Sequence, residues 1–510
     1  MLSDRVVRQY IDYITSIMWG LAHLFVFFAC FYGIVYGERN PSVVIVGGGP
    51  SGIAAATKLL KNSITNIKIL EAENRQGGRV NSVKFGDGYV DLGAQFCHGE
   101  KDNIVYSLTK DLGVLKHASG DVKILYSNGV DIDQQIQDKI FHFAHSLDAS
   151  ESDDENKRVC QNLSSVGDCF DKRYNILLQS AHNVEEERLL KDLKLWTIGY
   201  LLQYDSSFDL GDLLSTSDYK KCDGDLFLNW NGHGYKTVLE VMMQKFPNRD
   251  NQLPIDDKIL LNKEVINVKY KSGDQIAVVC KDGSSYSADH VLFTPSVGVL
   301  KHDHETLFDP QLPKEKVDAI KNIGYGAIMK IILHFPQPTT SISNILGIVW
   351  REEDLKKLKE LNIDWLQSLS GTVRAENNNN VLIGWYAGER VPAIEKLTDE
   401  EILEGQNYLV EKILGPKYNL TLPDQFIRSS WYSNPHFRGT YSYESVKGHS
   451  SGGKRFPDKL ASPLLDDNGV PRVLFAGEAT HPYYFSTVHG AIETGYREAE
   501  RLIDYYKIKQ

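Results

Sequence analysis

The chain has 510 residues, of which 42% are hydrophobic and 24% charged, and its formal net charge is −11. This length allows about two to four domains, and the composition excludes a disordered, fibrous or disulfide-dense small protein. The acidic balance and the lack of a dense Lys/Arg tract exclude the electrostatic footprint of a nucleic-acid-binding protein. No CxxC or HxxxH spacing offers a zinc site, so we expect no metal.

The first element along the chain is an apolar run at residues 14–36. At about 1.5 Å per residue, a helix of this length can span a hydrocarbon core of roughly 30 Å. We therefore expect residues 1–37 to be a signal anchor or a cleaved signal peptide, with a buried soluble helix as the third alternative. Either of the first two predicts the secretory pathway. The main part of the protein is then lumenal or extracellular on a membrane anchor, or secreted after cleavage.

Two further features are compatible with that compartment. Asn162 and Asn419 each begin an N-glycosylation triplet, which predicts a glycoprotein. Cys160 and Cys169 are close enough in sequence to pair in an oxidising compartment, although two free thiols remain the alternative.

A strand, a glycine-rich turn and a helix follow the apolar run. Residues 42–46, SVVIV, are mostly β-branched, residues 47–52 have the spacing GxGxxG, and a second strand at 66–71 ends in Glu71. The glycines allow a backbone to approach a pyrophosphate closely, the helix N-terminus presents N–H groups, and the carboxylate accepts hydrogen bonds from ribose hydroxyls. The pattern predicts a dinucleotide-binding βαβ unit.

The rest of the chain alternates between polar, mainly helical segments and strand-forming segments. Residues 101–221 are polar and indicate an inserted, mainly helical region. The later elements are predicted as a three-stranded meander at 264–294, strands at 325–335 and 381–387 around a helix at 351–361, a strand at 472–477, and a helix from about Thr487 to Tyr506.

Two segments bear on which dinucleotide is bound. The run Gly77-Gly78-Arg79 can place a guanidinium group on a phosphate or carbonyl of an extended cofactor. The block at 475–480, FAGEAT, precedes the last helix, whose N-terminus would stabilise negative charge on a reduced flavin ring. Two contacts so far apart in sequence suit a cofactor as long as FAD.

Several blocks in the right order resemble the flavin-containing amine oxidases, in particular the animal spermine and acetylpolyamine oxidases. They are VVIVGGGPSG, EAENRQGGRV, DLGAQFCHGE, WYSNPHFRGTYSY and FAGEATHPYYFSTVHGAIETGYREAERL. The resemblance implies an α/β, PHBH-like two-domain fold with a Rossmann-type FAD-binding domain and an α+β substrate domain. We expect the first at 38–100, 222–300 and 426–510, and the second at 101–221 and 301–425.

The same resemblance implies a set of residues that line FAD. Thr440 stands where monoamine oxidases carry the cysteine that links to flavin, so the resemblance implies non-covalent FAD. The implied cofactor-binding residues are Gly47, Gly49, Ser51, Gly52, Glu71, Arg79, Gly93, Ala94, Val265, Gly477, Glu478, Thr487 and Val488.

Three residues are implied at the reacting end. Lys330 lies in an otherwise apolar strand and matches the family lysine that holds a water near flavin N5, whereas the pattern alone favours an edge-strand lysine. His98 matches the histidine of the catalytic pocket, and Tyr441 an aromatic wall of the amine site. Without the resemblance, a structural histidine and a core tyrosine would be the plainer interpretations.

The substrate pocket departs from the family pattern at one position. Gln203 falls where animal polyamine oxidases carry a glutamate that pairs with a distal substrate amine, although Asp205 is close by. Thr487 stands where monoamine oxidases have a second cage tyrosine, which favours a polyamine-oxidase-like pocket.

The sequence therefore predicts an FAD-dependent amine oxidase acting on spermine, spermidine or their acetylated forms. Its partners would be a small cationic amine and O2, and the membrane if residues 14–36 are retained. The resemblance implies that hydride leaves the amine α-carbon for flavin N5 and that O2 reoxidises the flavin to give H2O2. The alternatives are an oxidase of L-amino acids or another amine on the same fold, and a turnover-silent or membrane-tethered flavin-binding protein. The sequence does not predict the oligomeric state.

Overall fold

The computed structural model describes residues 40–118, 120–147, 158–271, 275–449 and 455–508. The hydrophobic helix predicted at 14–36 lies outside these residues. Within them, Cys160 and Cys169 are joined in a disulfide, with their Cα atoms 5.2 Å apart.

The described residues contain twenty strands. In chain order they are β1 (Val43–Val46), β2 (Ile67–Leu70), β3 (Ser82–Phe85), β4 (Gly88–Asp91), β5 (Val122–Tyr126), β6 (Ile259–Leu260), β7 (Val265–Lys269), β8 (Ile276–Cys280), β9 (Ser285–Ala288), β10 (His290–Phe293), β11 (Phe308–Asp309), β12 (Gly324–Tyr325), β13 (Met329–His334), β14 (Ile345–Val349), β15 (Leu369–Arg374), β16 (Val381–Tyr386), β17 (Gln425–Arg428), β18 (Ser442–Tyr443), β19 (Leu464–Leu465) and β20 (Pro471–Phe475).

Besides a helical segment at 158–160, short 3-10 turns and one π-helical turn at Val410–Leu414, the same residues contain fifteen α-helices. They are α1 (Pro50–Lys61), α2 (Ile104–Thr109), α3 (Gln134–Ser146), α4 (Val166–Gln179), α5 (Val184–Asp205), α6 (Thr237–Met242), α7 (Val297–Leu307), α8 (Lys314–Asn322), α9 (Glu352–Glu360), α10 (Val391–Ile394), α11 (Asp399–Leu409), α12 (Gly415–Tyr418), α13 (Val446–His449), α14 (Phe456–Ala461) and α15 (Val488–Ile508).

A six-stranded sheet forms the first half of the molecule, in the order β19-β20-β10-β1-β2-β6. All neighbours in it are parallel except β19 and β20. The central strand β1 reads VVIV and is buried throughout, as expected of a parallel strand covered on both faces. On one face α1 and α15 share a core through Ile53, Leu59 and Leu502. On the other, the sheet β11-β7-β8-β9 packs.

The second half is built on another six-stranded sheet, in the order β17-β13-β16-β15-β14-β5. Its pairs are antiparallel apart from β14 with β5. The long helix α5 crosses β14, β15 and β16 on one face, while α11 covers the other through Ile402 and Leu409. The core of this half is therefore separate from that of the first sheet.

The predicted meander at 264–294 is wrong in its third strand. The residues HVLF form β10, which pairs with β1 and β20 in the parallel sheet. The strand that follows β8 is β9, SYSA, whose polar, largely accessible residues carry no hydrophobic signal. The fully buried residues of β10 instead match a central parallel strand.

The two sheets follow the predicted alternation of chain segments. The parallel sheet takes its strands from residues 43–70, 259–293 and 464–475, and the second sheet from 122–126 and 329–428. The strand β17 crosses the predicted boundary at residue 425. The exact domain limits remain a prediction.

Candidate active site

A single cavity of about 910 Å³, the central cavity, extends from the end of β1 to the face of the second sheet. It is lined by residues of both halves. Sixteen of the seventeen sequence-predicted site residues line it: Gly47, Gly49, Ser51, Glu71, Arg79, Gly93, Ala94, His98, Gln203, Val265, Lys330, Tyr441, Gly477, Glu478, Thr487 and Val488. The remaining one, Gly52, is not among the lining residues.

The glycine-rich turn at 47–52 links β1 to α1. Gly47 has φ +102°, a conformation that L side chains rarely adopt, and its N–H donates to Leu70 at 2.8 Å. A Cβ on Gly52 would lie 2.1 Å from the carbonyl oxygen of Gly47, so this glycine is needed for close packing. The turn thus directs the N-terminus of α1 at the cavity.

Ser51 tests whether this turn fits a phosphate group. Its side chain is only 4% exposed, and its Oγ has no hydrogen-bond partner among the described residues. The first turn of α1 contains no acidic residue that would repel an anion. An unpaired hydroxyl at a helix N-terminus suits a phosphate oxygen, so the turn fits the pyrophosphate of FAD.

Glu71 lies at the end of β2, where an acid that binds ribose is expected. Its Oε2 accepts from Gly48 N at 2.7 Å and its Oε1 from Glu73 N at 2.8 Å. Burial raises the pKa of this carboxyl, and the two backbone donors oppose that effect. Each oxygen retains a lone pair for a hydroxyl. Val265, at the start of β7, lines the same end of the cavity.

Arg79 and Glu478 meet across the cavity wall from opposite ends of the chain. Arg79 Nη1 donates to Glu478 Oε1 at 3.0 Å and to Thr440 O at 2.5 Å. The other oxygen of Glu478 accepts from Ser442 Oγ at 2.6 Å and from Ser486 N at 2.8 Å. This ion pair fixes the wall beside α15.

The N-terminus of α15 lies at the cavity as predicted. The helix begins at Val488, and Thr487 Oγ1 accepts from Gly490 N at 3.0 Å. The Thr487 hydroxyl also donates to Tyr484 O at 2.7 Å, so both its roles are structural. The positive end of the helix dipole is then available to a negatively charged ring.

Lys330 is 1% exposed and extends from β13 to the edge of the cavity. Its Nζ donates to Asp91 O at 2.9 Å, Gly93 O at 2.8 Å and Gln95 Oε1 at 2.8 Å. Burial lowers its pKa. The three acceptors match an ammonium group, whereas a neutral amine donates two hydrogen bonds and presents a lone pair. Gln95 is the one acceptor that a side-chain rotation can remove.

His98 is exposed to the cavity, with protein surrounding it on most other sides. Its Nδ1 lies 2.6 Å from Leu226 O, and because a carbonyl only accepts, Nδ1 carries a proton. Removal from bulk water lowers the pKa of the imidazole, which favours the neutral ring. Nε2 is then an acceptor.

Tyr441 and Gln203 lie together at the substrate side. The Tyr441 hydroxyl donates to Gln203 O at 2.5 Å, and burial raises the pKa of the phenol. Gln203 Oε1 accepts from Ser370 Oγ at 2.8 Å. The Tyr441 ring therefore serves as a fixed wall, and position 203 contributes no charge to the pocket.

Two neighbours of Lys330 were not predicted. Gln95 lies in the block DLGAQFCHGE, but nothing in the sequence indicates a function for it. Trp385, on β16, is the cross-strand partner of Lys330, and its ring centroid lies 4.3 Å from Nζ. The strand at 381–387 was predicted, but the pairing register that brings Trp385 to the lysine has no sequence signal.

The comparisons agree with this geometry. Residues 50–503 match the family model described as flavin-containing amine oxidoreductase. A peroxisomal N(1)-acetyl-spermine/spermidine oxidase of Homo sapiens is 31% identical, covering 92% of this chain and 96% of its own length. A probable polyamine oxidase 5 of Arabidopsis thaliana is 29% identical, covering 92% and 99%. The chain therefore belongs to the flavin-containing amine oxidoreductases, enzymes that use FAD to oxidise amines with O2.

A solved structure supports the fold. A redesigned putrescine oxidase matches with a TM-score of 0.60 at 17% identity, over 91% of this chain and 99% of the other. The two-domain α/β flavoenzyme fold is thus confirmed, and the protein is an FAD-dependent amine oxidase that binds its cofactor non-covalently.

The predicted secretory localisation is wrong. The human relative and one from Bos taurus, aligned over more than nine tenths of the chain, are named as peroxisomal enzymes. No helix of the described residues is long and apolar enough to cross a membrane. The membrane anchor was predicted from residues 14–36, which lie outside the described residues. The glycosylation predicted at Asn162 and Asn419 requires the secretory pathway, so it is withdrawn together with that localisation.

Proposed function

We propose that this protein oxidises polyamines: spermine, spermidine or their acetylated forms. The observation that carries the proposal is the continuity of the central cavity from the glycine-rich turn to Lys330, His98 and Tyr441. Bound FAD supplies the redox chemistry, accepting hydride from the amine α-carbon and returning electrons to O2 as H2O2. The protein positions the reactants and controls charge.

Each reacting-end residue has a task that follows from its contacts. If the Gln95 side chain rotates away, Lys330 Nζ would have one N–H free to hold a water at the edge of the cavity. The Nε2 of His98 would accept a hydrogen bond from an N–H of the substrate. The ring of Tyr441 excludes water and gives an amine an aromatic face. The N-terminus of α15 stabilises negative charge on the reduced cofactor.

Charge at the cavity favours an amine over an amino acid. An amino-acid oxidase needs a cation, typically an arginine, facing the substrate carboxylate. Among the described residues, Arg79 and Arg438 are the arginines that line the cavity. Arg79 is bound to Glu478, and Arg438 lies 3.8 Å from Asp303. Arg79 is therefore not available to a second carboxylate, and the acidic side chains Asp205, Asp225 and Glu444 in the cavity lining favour a cationic substrate.

The test is aerobic turnover of the purified holoenzyme with spermine, spermidine, their N-acetylated forms and a panel of L-amino acids. We expect peroxide with at least one polyamine and an aldehyde product, identified by mass spectrometry, that gives the carbon oxidised. Peroxide with amino acids alone would replace the proposal by the amino-acid oxidase. A yellow protein that produces peroxide with none of them would favour the turnover-silent alternative.

A further inference from the structure

Acidic side chains at the substrate side of the central cavity differ in their partners. Asp225 Oδ2 lies 2.6 Å from His117 Nδ1, and its Oδ1 accepts from Phe227 N at 2.7 Å. Gln203 is neutral. Glu444, which follows β18, lines the cavity and is half-buried. Unlike Asp225, Glu444 has no histidine, lysine or arginine as a hydrogen-bond partner among the described residues.

Glu444 is held by neutral donors on one oxygen. Its Oε2 accepts from Ser217 Oγ at 2.9 Å and from Asp218 N at 2.7 Å. Of the Lys, Arg and His side chains in the described ranges, none forms an ion pair with it. Arg455 influences it at a distance, but binds Asp218 at 3.0 Å and Asp458 at 3.3 Å instead.

This arrangement is costly for a carboxylate. Partial removal from water disfavours the charged form, and burial accordingly raises the pKa of Glu444. Ser217 and Asp218 fix the direction of one oxygen and leave Oε1 without a protein partner among the described residues. A cation entering the cavity would offset the desolvation. The chemistry of the site therefore matches an alkylammonium group.

We propose that Glu444 binds a remote ammonium group of the polyamine, the role that Gln203 cannot serve for lack of charge. The assignment rests on the proposed function. Glu444 is three residues beyond Tyr441, so their Cα atoms lie at most about 10 Å apart. A polyamine is long enough to contact both residues at once, and butylamine has no second ammonium group to offer Glu444. Glu444 is thus a specificity residue, remote from the reacting carbon.

The experiment measures binding of spermine and of butylamine to the photoreduced holoenzyme under argon, where no further flavin reduction takes place. We compare wild type with Glu444→Gln, and with Glu500→Gln, which removes one charge from an exposed pair with Lys58. Loss of a charge-assisted hydrogen bond predicts about 10- to 100-fold weaker spermine binding in Glu444→Gln. Butylamine affinity in that variant, and spermine affinity in Glu500→Gln, stay within about twofold.

Glu444→Asp keeps the charge and controls for local damage. We expect it to recover most of the spermine affinity that Glu444→Gln loses. Equal spermine affinity in Glu444→Gln and Glu500→Gln would overturn the assignment, as would equal losses for spermine and butylamine. If wild type binds spermine tightly but produces no peroxide, the proposed function fails, and the spermine affinity of Glu444→Gln alone decides whether Glu444 binds the amine. If wild type does not bind spermine, both fail.

Discussion

Two buried lysines, one in each half of the molecule, have closely similar surroundings. Lys316 is 4% exposed and Lys330 1%. Each Nζ donates to three oxygens, and each lies over an aromatic ring, at 4.0 Å from the centroid of Phe475 and 4.3 Å from that of Trp385. Burial lowers the pKa of both, that of Lys316 to about 7.

The two lysines differ in their hydrogen-bond acceptors. Lys316 bonds Lys459 O, Leu460 O and Ser462 O, the carbonyls at the C-terminal end of α14, where a cation is favoured. It does not line the central cavity. Lys330 borders that cavity, and one of its acceptors is a side chain. Burial and a perturbed pKa alone therefore do not indicate a catalytic group, whereas access to the cavity and a movable partner do.

The largest expected effect comes from Lys330→Met. The variant keeps the length and apolar contacts of the side chain. It loses the amine that we propose holds a water at the edge of the central cavity. We expect the rate constant of anaerobic flavin reduction to fall about 10²- to 10⁴-fold, while FAD stays bound. Rapid-mixing absorbance measures it. A reduction rate equal to that of wild type would remove Lys330 from the mechanism.

Lys316→Met should lower the stability of the protein and leave the rate of flavin reduction nearly unchanged. Three carbonyls of α14 and the following residue lose a charged donor, which we expect to lower the free energy of unfolding by about 2–4 kcal/mol. The rate of flavin reduction should stay within about twofold of wild type. Denaturant titration and rapid mixing measure the two quantities on one preparation. A loss of rate without a loss of stability would make the two lysines equivalent and end the comparison.

The smallest effect is expected at Gln95, which tests whether the movable acceptor sets the charge of Lys330. Burial already lowers the pKa of Lys330. Gln95→Leu removes an acceptor that favours the ammonium form and lowers that pKa further, whereas Gln95→Glu adds a negative charge and raises it. The limb of the pH profile of flavin reduction that reports the titration of Lys330 should move to lower pH in Gln95→Leu. In Gln95→Glu it should move to higher pH. Limiting rates should change less than about tenfold. If the pH profiles of both variants shift in the same direction, Gln95 does not set the charge of Lys330.

The cofactor end of the site was predictable because it is local. The strand, glycines and helix at 42–61 specify a backbone path within one stretch of chain, and the structure reproduces it with φ +102° at Gly47. Glu71 follows from the length of one βα unit. These features need no knowledge of which distant segments meet.

The substrate end was less predictable because side chains from distant segments form it. The contact of Gln95 with Lys330 joins residues 235 positions apart, and that of Tyr441 with Gln203 joins residues 238 apart. The resemblance supplied Lys330, His98, Tyr441 and Gln203, but not the contacts that these residues make. Glu444 had no sequence signal at all, since only packing reveals a carboxylate without a cation. The wrong prediction for β10 has the same cause, because its place in the parallel sheet depends on pairing with the distant strands β1 and β20.

The most direct test of the account is an anaerobic titration of the oxidised holoenzyme with a polyamine, followed by admission of air. The account predicts that about one equivalent of spermine, or of its N-acetylated form, bleaches one flavin, and that oxygen restores the colour with about one equivalent of H2O2. A flavin that excess polyamine leaves fully oxidised, while the same preparation binds that amine, would contradict it.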